Sequence, residues 1–172
     1  MVWRGRTTMQ HRLLSCLPYI LPLIQVYGFG LLLFQQIPFL QFLFLPLVPF
    51  MALYAFLGQS IPLIGSFIGL AIFFALYLLV VRNEKIAHFI RFHTLQALLL
   101  GIFASLCQAV LELVGIAQQG TALSIPLLGG VLYTVIFLAV VAASVYSIVQ
   151  AIRGVYAEIP VISQAAYSGT RD

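Results

Sequence analysis

Charge is what this sequence has least of. The 172 residues include 8 Lys and Arg and 4 Asp and Glu, so charged residues make up 7% of the chain, against about 25% in an ordinary soluble domain. Hydrophobic residues make up 63%. A soluble domain of this length could not bury so much apolar surface, because the buried fraction rises only slowly with chain length. The composition therefore excludes a soluble fold and predicts an all-α, polytopic membrane protein.

Groups that carry chemistry are also scarce. The two cysteines, Cys16 and Cys107, stand far apart in apolar runs, which is typical of small buried hydrophobic residues. Glu84, His88 and His93 offer too few ligands for a closed metal or haem site. No nucleophile with a base and an orienting group is present, so we predict no catalytic site, no metal and no cofactor. No basic face with interleaved aromatic residues indicates a nucleic-acid partner.

The few charges are concentrated in one place. Arg82 to Gln96 holds four of them, and no Asp, Glu, Lys or Arg occurs between Leu13 and Val81. After this segment only Glu112 interrupts the apolar sequence before Arg153. A charged island between such long apolar runs predicts a water-facing loop between membrane spans.

Four apolar runs are long enough to cross a membrane, and Pro46 and Pro49 predict a kink in the first of them. These predicted spans are Phe39 to Leu57, Ile61 to Val81, Phe92 to Ile116 and Ile125 to Ala151. An earlier run, Leu13 to Phe34, is interrupted by Pro18 and Pro22, each of which removes a backbone hydrogen bond that lipid cannot replace. That run is predicted to form a pair of short interfacial or re-entrant helices. The resulting division is a basic tail over residues 1–12, a membrane domain over 13–153 and a flexible tail over 154–172.

The distribution of Lys and Arg predicts the orientation. With four spans, the N-terminal arginines, the charged loop and Arg153 all face the cytoplasm or stroma. The two opposite turns, around Gln59 and Gln118, carry no charge, as the positive-inside rule requires. The N-terminal segment before the first apolar run is too short for a transit peptide, and we expect it to be retained.

Small and polar residues follow helical spacing in the last two spans. In the first of them they form one face that either packs against other helices or lines a wet cavity. The candidate residues of this face are Thr94, Gly101, Ser105, Gln108 and Glu112. Glu112 either joins Gln108 in a polar cavity or simply reaches the membrane interface.

Helix packing is predicted at two further places. Gly65 and Gly69 form a GxxxG motif, which serves either dimerisation or packing within the chain. In the last span Ala139, Ala143 and Ser147 recur every four residues, which makes this face a natural partner for the polar face of the preceding span.

The charged loop and the start of the next helix form a candidate contact surface. Basic residues there are expected to bind phosphates of anionic lipids on the loop side, and docking of a protein partner is the alternative. The candidate residues are Arg82, Asn83, Lys85, Arg91, Phe92, His93 and Gln96. Other membrane subunits or a second copy of the chain are the expected protein partners.

The same residues resemble a known family. An Arg-Asn pair at Arg82 and Asn83 ends one span, and the next opens with Phe89, Arg91, Phe92, His93, Leu95, Gln96 and Ala97. This pattern, with the segments Arg12 to Leu23 and Phe44 to Tyr54, resembles the Tic-twenty family of the chloroplast inner-envelope protein translocon and its cyanobacterial and plastid-encoded relatives. The resemblance implies four transmembrane helices and a channel-forming or channel-associated subunit for protein import.

Three functions therefore remain open. The resemblance favours a protein-translocation subunit in a cyanobacterial plasma membrane or a plastid inner envelope. A small-solute transporter needs a midplane site made by broken helices, which only the proline-rich segments suggest. A membrane scaffold without transport would have a dry, fully packed polar face.

Overall fold

The computed structural model describes residues 8–60, 68–119 and 126–170. The regular α-helices are α1 (Met9–Cys16), α2 (Ile20–Val26), α3 (Leu31–Gln36), α4 (Val48–Ser60), α5 (Ile68–Leu76), α6 (His88–Gln119), α7 (Pro126–Arg153) and α8 (Ile162–Gly169). Turns of 3₁₀ helix join α1 to α2 (Leu17–Tyr19) and α2 to α3 (Tyr27–Gly30), and a longer one (Pro38–Leu47) leads into α4. A π-helical stretch, Tyr77–Val81, extends α5 to the charged loop, and Ile68–Val81 as a whole is here called the α5 segment.

Four helical segments in the described part of the chain are long and apolar enough to cross a membrane. They are Met9–Gln36, Pro38–Gln59, His88–Leu113 and Gly130–Arg153. The predicted class and the predicted number of spans are thus confirmed. The set of helices differs from the prediction, because Met9–Gln36 is among the four and Ile68–Val81 is a shorter apolar helix. The beginning of the predicted span Ile61 to Val81 lies outside the described residues.

Met9–Gln36 is one nearly continuous helical segment, here called the N-terminal run. Thr8 caps it, since its Oγ1 accepts a hydrogen bond from the His11 amide at 3.4 Å. Pro18 lies in the first turn of a 3₁₀ segment and Pro22 in the first turn of α2. At such positions the missing proline N–H costs little, because the first amides of a helical segment have no partner within it. The helical segment therefore continues past both prolines, with a short 3₁₀ stretch at Leu17–Tyr19.

The N-terminal run lies antiparallel to α7 along its whole length. At one end the Arg12 Nη1 atom donates to the Ile152 carbonyl at 3.4 Å, and at the other the Leu32 side chain lies against Gly130. About 20 residues separate these contacts, which corresponds to about 30 Å of helix, the thickness of a bilayer core. The structure thus differs from the predicted interfacial or re-entrant pair, because the segment extends as far as a spanning helix.

The core lies between the N-terminal run, α6 and α7. The first cluster surrounds Phe137 and includes Val26, Phe29, Phe34 and Phe44. The second surrounds Phe92, and the third surrounds Tyr19. By contrast, only 6% of the Pro38–Gln59 window is buried within the chain. Such an exposed apolar helix is stable in a membrane, because lipid tails are as apolar as its side chains.

Residues 154–170 form a folded segment, here called the C-terminal cap. α7 ends at Arg153, and Gly154 follows with φ 75°, the left-handed conformation that glycine adopts easily at a helix end. α8 then packs along α6, and Ala157, Ala166 and Thr170 are fully buried. This differs from the flexible tail that the polar, glycine-containing sequence predicted. The small side chains of the cap let it pack closely against α6. Because they do not form an apolar run, the sequence alone gave no sign of this packing.

Candidate functional site

The charged loop Arg82–Ala87 lies where α5 turns into α6. Arg82 and Lys85 are exposed, and Asn83 is half-buried. The Asn83 side chain shapes the turn, since its Oδ1 accepts a hydrogen bond from the Lys85 amide at 3.1 Å. Of the predicted contact surface, these three residues remain available to lipid or to a partner, and that contact stays a prediction.

The other four residues of the predicted contact surface lie inside the chain. Phe92, His93 and Gln96 are fully buried and Arg91 is 6% exposed. The Arg91 Nε atom donates to the Val81 carbonyl at 2.8 Å, which fastens the end of the α5 segment to the first turns of α6. The sequence predicted these four side chains on a surface that contacts lipid or a partner. The structure instead places them inside the chain, so this part of the pattern serves packing within the protein.

His93 and Gln96 belong to a buried hydrogen-bond network that joins both ends of the chain. The Tyr19 hydroxyl donates to Gln96 Oε1 at 3.0 Å and lies 3.0 Å from His93 Nδ1. Gln96 Nε2 donates to the Ala157 carbonyl at 3.0 Å. The Tyr19 hydroxyl thus lies within hydrogen-bond distance of both polar side chains of α6. The network links the N-terminal run, α6 and the C-terminal cap.

Replacing Gln96 with leucine should therefore loosen the C-terminal cap. The Ala157 carbonyl would stay buried without a donor, at a cost of about 1–2 kcal/mol in the free energy of unfolding. Unfolding in mixed micelles, titrated with SDS, measures this cost. The control is Gln108→Leu, since Gln108 is an exposed residue of the same helix that bonds only within that helix. Equal losses for the two variants would contradict a special role for Gln96.

Aromatic side chains of the C-terminal cap complete this end of the molecule. The ring of Phe92 lies 4.9 Å from that of Tyr156 and 4.5 Å from that of Tyr167. The Tyr156 hydroxyl lies 3.1 Å from His88 Nδ1, and burial raises the pKa of Tyr156. Sequence reasoning missed Tyr19, Tyr156 and Tyr167, because one lies in an apolar run and the others lie in a tail without periodicity. Their contacts with Phe92, His93 and Gln96 of α6 become visible only in the tertiary structure.

The predicted polar face of α6 is divided by the fold. Thr94 and Gly101 are buried, whereas Ser105, Gln108 and Glu112 are exposed. Gln108 Nε2 donates to Glu112 Oε1 at 2.8 Å, so the predicted pair of these two residues is present. Glu112 itself does not line the neighbouring cavity. The fold thus divides the face into a buried part and an exposed part, and its role in packing or in a wet cavity stays a prediction.

A cleft of about 590 Å³, here called the central cleft, lies beside this face. Its polar lining consists of Gln25, Tyr54, Ser105 and Gln108, and the rest is mostly apolar. Gln25 belongs to the N-terminal run, and its buried Oε1 has no hydrogen-bond partner among the described residues. A Cβ at Gly101 would lie 2.7 Å from that oxygen. The glycine thus makes room for Gln25, a residue that the sequence analysis did not single out.

The predicted helix-packing residues have different surroundings. A Cβ at Gly69 would lie 2.9 Å from the Tyr54 hydroxyl, so this glycine packs within the chain, while Gly65 lies outside the described residues. Ser147 is fully buried, Ala143 packs against the Tyr19 cluster, and Ala139 is exposed. Ala97 of α6 belongs to the same cluster. The small faces of α6 and α7 therefore meet around Tyr19, which lies between them.

Across residues 8–60, 68–119 and 126–170, no group of three or more His, Cys, Asp and Glu side chains is placed to hold a metal ion. Both cysteines are free thiols. The arrangement defines a class: an α-helical, multi-span integral membrane protein with a buried polar network at its basic end and a polar cleft beside α6.

Sequence comparison gives the family. The family model described as "Chloroplast import apparatus Tic20-like" matches residues 4–166. The chain belongs to this family, the Tic20 or Tic-twenty family, as the sequence pattern around Arg82 and Gln96 suggested.

Curated relatives occur in cyanobacteria, red algae and plants. A Tic20 family protein of Synechocystis is 42% identical over 93% of this chain and 92% of its own length. The Tic20 family protein Ycf60 of Pyropia yezoensis is 33% identical over 94% of this chain and 76% of its own length. Protein TIC 20-I of Arabidopsis thaliana is also 33% identical, over 91% of this chain and 53% of its own length.

Proposed function

We propose that this chain is a membrane subunit of a protein-import apparatus, located in a cyanobacterial plasma membrane or a plastid inner envelope. The observation that carries the proposal is the family match, which extends over nearly the whole chain and names an import apparatus. Further support comes from the central cleft, which places polar groups beside otherwise apolar helices. A polypeptide that crosses a membrane needs such groups, because lipid offers its backbone no hydrogen bonds.

The topology that we propose has four crossings and both termini on the cytoplasmic or stromal side. The crossings are the four long apolar helices, so an even number separates the N-terminus from the charged loop and from Arg153. In the structure Arg12 contacts the Ile152 carbonyl, and Arg91 contacts the turn before the loop. Basic residues of all these segments then face the same side, in agreement with the positive-inside rule. Ile68–Val81 does not cross in this arrangement.

In the proposed import role, the central cleft contacts the moving polypeptide as one wall of the path. Gln25, Ser105 and Gln108 supply donors and acceptors, and the apolar residues around them shape the surface. Other membrane subunits or a second copy of the chain would supply the remaining walls. With a volume of about 590 Å³ the cleft accommodates an extended segment and not a folded domain.

The proposal predicts that water reaches the cleft. Single cysteines at Ser105 and Gln108, in a chain with Cys16 and Cys107 replaced by serine, should react with a membrane-impermeant thiol reagent in intact membranes. Gly101 is unsuitable as a probe, because a Cβ there would collide with Gln25. The control is Phe103→Cys, which is exposed and lies at nearly the same depth but outside the cleft. We expect labelling at Ser105 and Gln108 at least ten times faster than at Phe103.

A second experiment tests the import role itself. A photoreactive amino acid at position 105 should form crosslinks to a polypeptide arrested during import, whereas the same amino acid at position 103 should not. Absence of crosslinks from both positions, with import active, would reject the cleft as a polypeptide contact.

In the labelling experiment, protection of the cysteines at both Ser105 and Gln108 would instead indicate that the cleft is a packed wall, which would support a scaffold.

A further inference from the structure

A second cavity opens toward the basic end of the molecule. This cavity, here called the basal groove, has a volume of about 740 Å³ and lies between the N-terminal run, α4, the α5 segment and the start of α6. Its walls are mostly aliphatic. Leucine side chains of three of these elements line it: Leu14, Leu17 and Leu21 of the N-terminal run, Leu53 and Leu57 of α4, and Leu76 of α5. The import role proposed above makes no use of this groove.

The groove has the depth of one membrane leaflet. Along the N-terminal run it extends from Gln10 and Leu14 to Ile24, and along the α5 segment from Val80 to Ile72. Ile24 lies ten positions after Leu14, which corresponds to about 15 Å of helix. That length is half of the bilayer core of about 30 Å. A groove that begins at the membrane surface and ends near the midplane matches a lipid acyl chain of a single leaflet.

The mouth of the groove is cationic and polar. Lys85, His11 and Gln10 line it, next to the backbone turn made by Ile86 and Ala87. Lys85 is exposed, and its ammonium forms no ion pair with any residue that the structure describes. The Asn83 side chain holds the Lys85 amide and thereby fixes the position of this residue at the rim. An unpaired ammonium above an aliphatic groove is complementary to a phosphate that carries an acyl chain.

We propose that the basal groove binds an anionic phospholipid, with one acyl chain between the N-terminal run and the α5 segment and the phosphate on Lys85. His11 and Gln10 add hydrogen-bond donors to the headgroup. The charge at the mouth selects this occupant over an apolar helix of another subunit, which would leave the ammonium without a partner. The site depends only on the membrane location of the chain, so it stands or fails separately from the import role.

The experiment uses the purified full-length chain in detergent, with phosphatidylglycerol and phosphatidylcholine added in equal amounts and native mass spectrometry as the readout. We expect at least one phosphatidylglycerol retained per chain, in preference to phosphatidylcholine. Lys85→Gln should weaken phosphatidylglycerol binding about fivefold, the fold-change that corresponds to ~1 kcal/mol for one basic contact. Lys85→Arg should retain binding.

Two further variants separate the groove from general surface charge. Arg82→Gln removes the same charge from the same loop, but Arg82 does not line the groove, so binding should change less than twofold. Leu17→Trp places a large ring in the groove at a position that is 53% exposed, and it should reduce retention without removing charge.

A phosphatidylglycerol with a photoreactive acyl chain locates the bound lipid. Its adducts should fall on the N-terminal run and on the α5 segment, and Leu17→Trp should abolish them. Equal effects of Lys85→Gln and Arg82→Gln would overturn the proposal in favour of diffuse surface electrostatics. Adducts elsewhere, or a groove crosslinked to a second copy of the chain in place of lipid, would overturn it as well.

Discussion

Replacing Phe92 with alanine is expected to lower the free energy of unfolding by about 3–5 kcal/mol, the largest effect of any substitution considered for this protein. The Phe92 side chain is fully buried and touches rings from two parts of the C-terminal cap, Tyr156 and Tyr167. It also belongs to the cluster that contains Val81 and Ala166. Its removal leaves a cavity at the junction of the α5 segment, α6 and the cap, where neighbouring helices cannot collapse fully.

Two measurements check this expectation. Unfolding in mixed micelles gives the loss of stability, and limited proteolysis should show faster cleavage within residues 154–170, because the cap loses its main contact with α6. The control is Phe103→Ala on the same helix, since Phe103 is 46% exposed whereas Phe92 is fully buried. It should change stability by less than 1 kcal/mol. Slow proteolysis of the cap in Phe92→Ala would show that the network around Gln96 holds the cap without the aromatic cluster.

The second large effect is expected at Gly30, where alanine should destabilise the protein by about 1–3 kcal/mol through overpacking. A Cβ at this position would lie 2.6 Å from the Phe137 ring. That ring is 3% exposed and is held by Phe34 and Phe44, with ring centroids 5.4 and 5.7 Å away. Because the ring cannot move aside easily, the N-terminal run must separate from α7.

Gly28 provides a matched control for this prediction. It lies two residues earlier in the same 3₁₀ turn, and a Cβ there would have nothing within 4 Å. Gly28→Ala should therefore leave stability unchanged or raise it by up to about 1 kcal/mol, because alanine loses less backbone entropy in a helix. A comparison of the two variants by thermal unfolding in detergent isolates the contact with Phe137. Equal stabilities would mean that the N-terminal run does not pack closely against α7.

The basal groove and the central cleft differ in the chemistry of their linings. The basal groove is aliphatic with a cation at its mouth, and the central cleft carries amide and hydroxyl groups beside α6. Leu21, Ile24 and Tyr54 line both cavities. A lipid in the basal groove therefore contacts residues that also shape the cleft, so occupancy of one cavity can influence the other through three shared side chains.

The prediction about the prolines of the N-terminal run was wrong. The sequence predicts that Pro18 and Pro22 interrupt the helix, because a proline inside a helix removes a backbone hydrogen bond. In the fold both fall within first turns of successive helical segments, where the missing donor costs little. Whether a proline ends a helix or only changes its local geometry depends on how neighbouring helices support the segment, and α7 supports this one along its full length.

The burial of three polar side chains at the start of α6 is a second feature that the sequence did not predict. Arg91, His93 and Gln96 are polar and follow a charged loop, so their composition predicted a surface. Each instead has a partner inside the chain: the Val81 carbonyl, the Tyr19 hydroxyl and the Ala157 carbonyl. These partners lie 10 to 74 residues away along the sequence. Satisfied polar groups can be buried, but no local pattern shows which distant group will satisfy them.

The sequence by itself determined the class of protein, the number of long apolar helices, the charged loop and the family, because low charge and long apolar runs leave few alternatives to a membrane fold. Helical spacing also identified the small faces of α6 and α7. Only the tertiary structure decided that Met9–Gln36 extends along all of α7, that the last residues fold back onto α6, and that Gln25 faces Gly101. In a chain so uniformly apolar, hydrophobicity does not distinguish a helix that faces lipid from one that faces protein, so close contacts at glycine and buried hydrogen bonds make that choice.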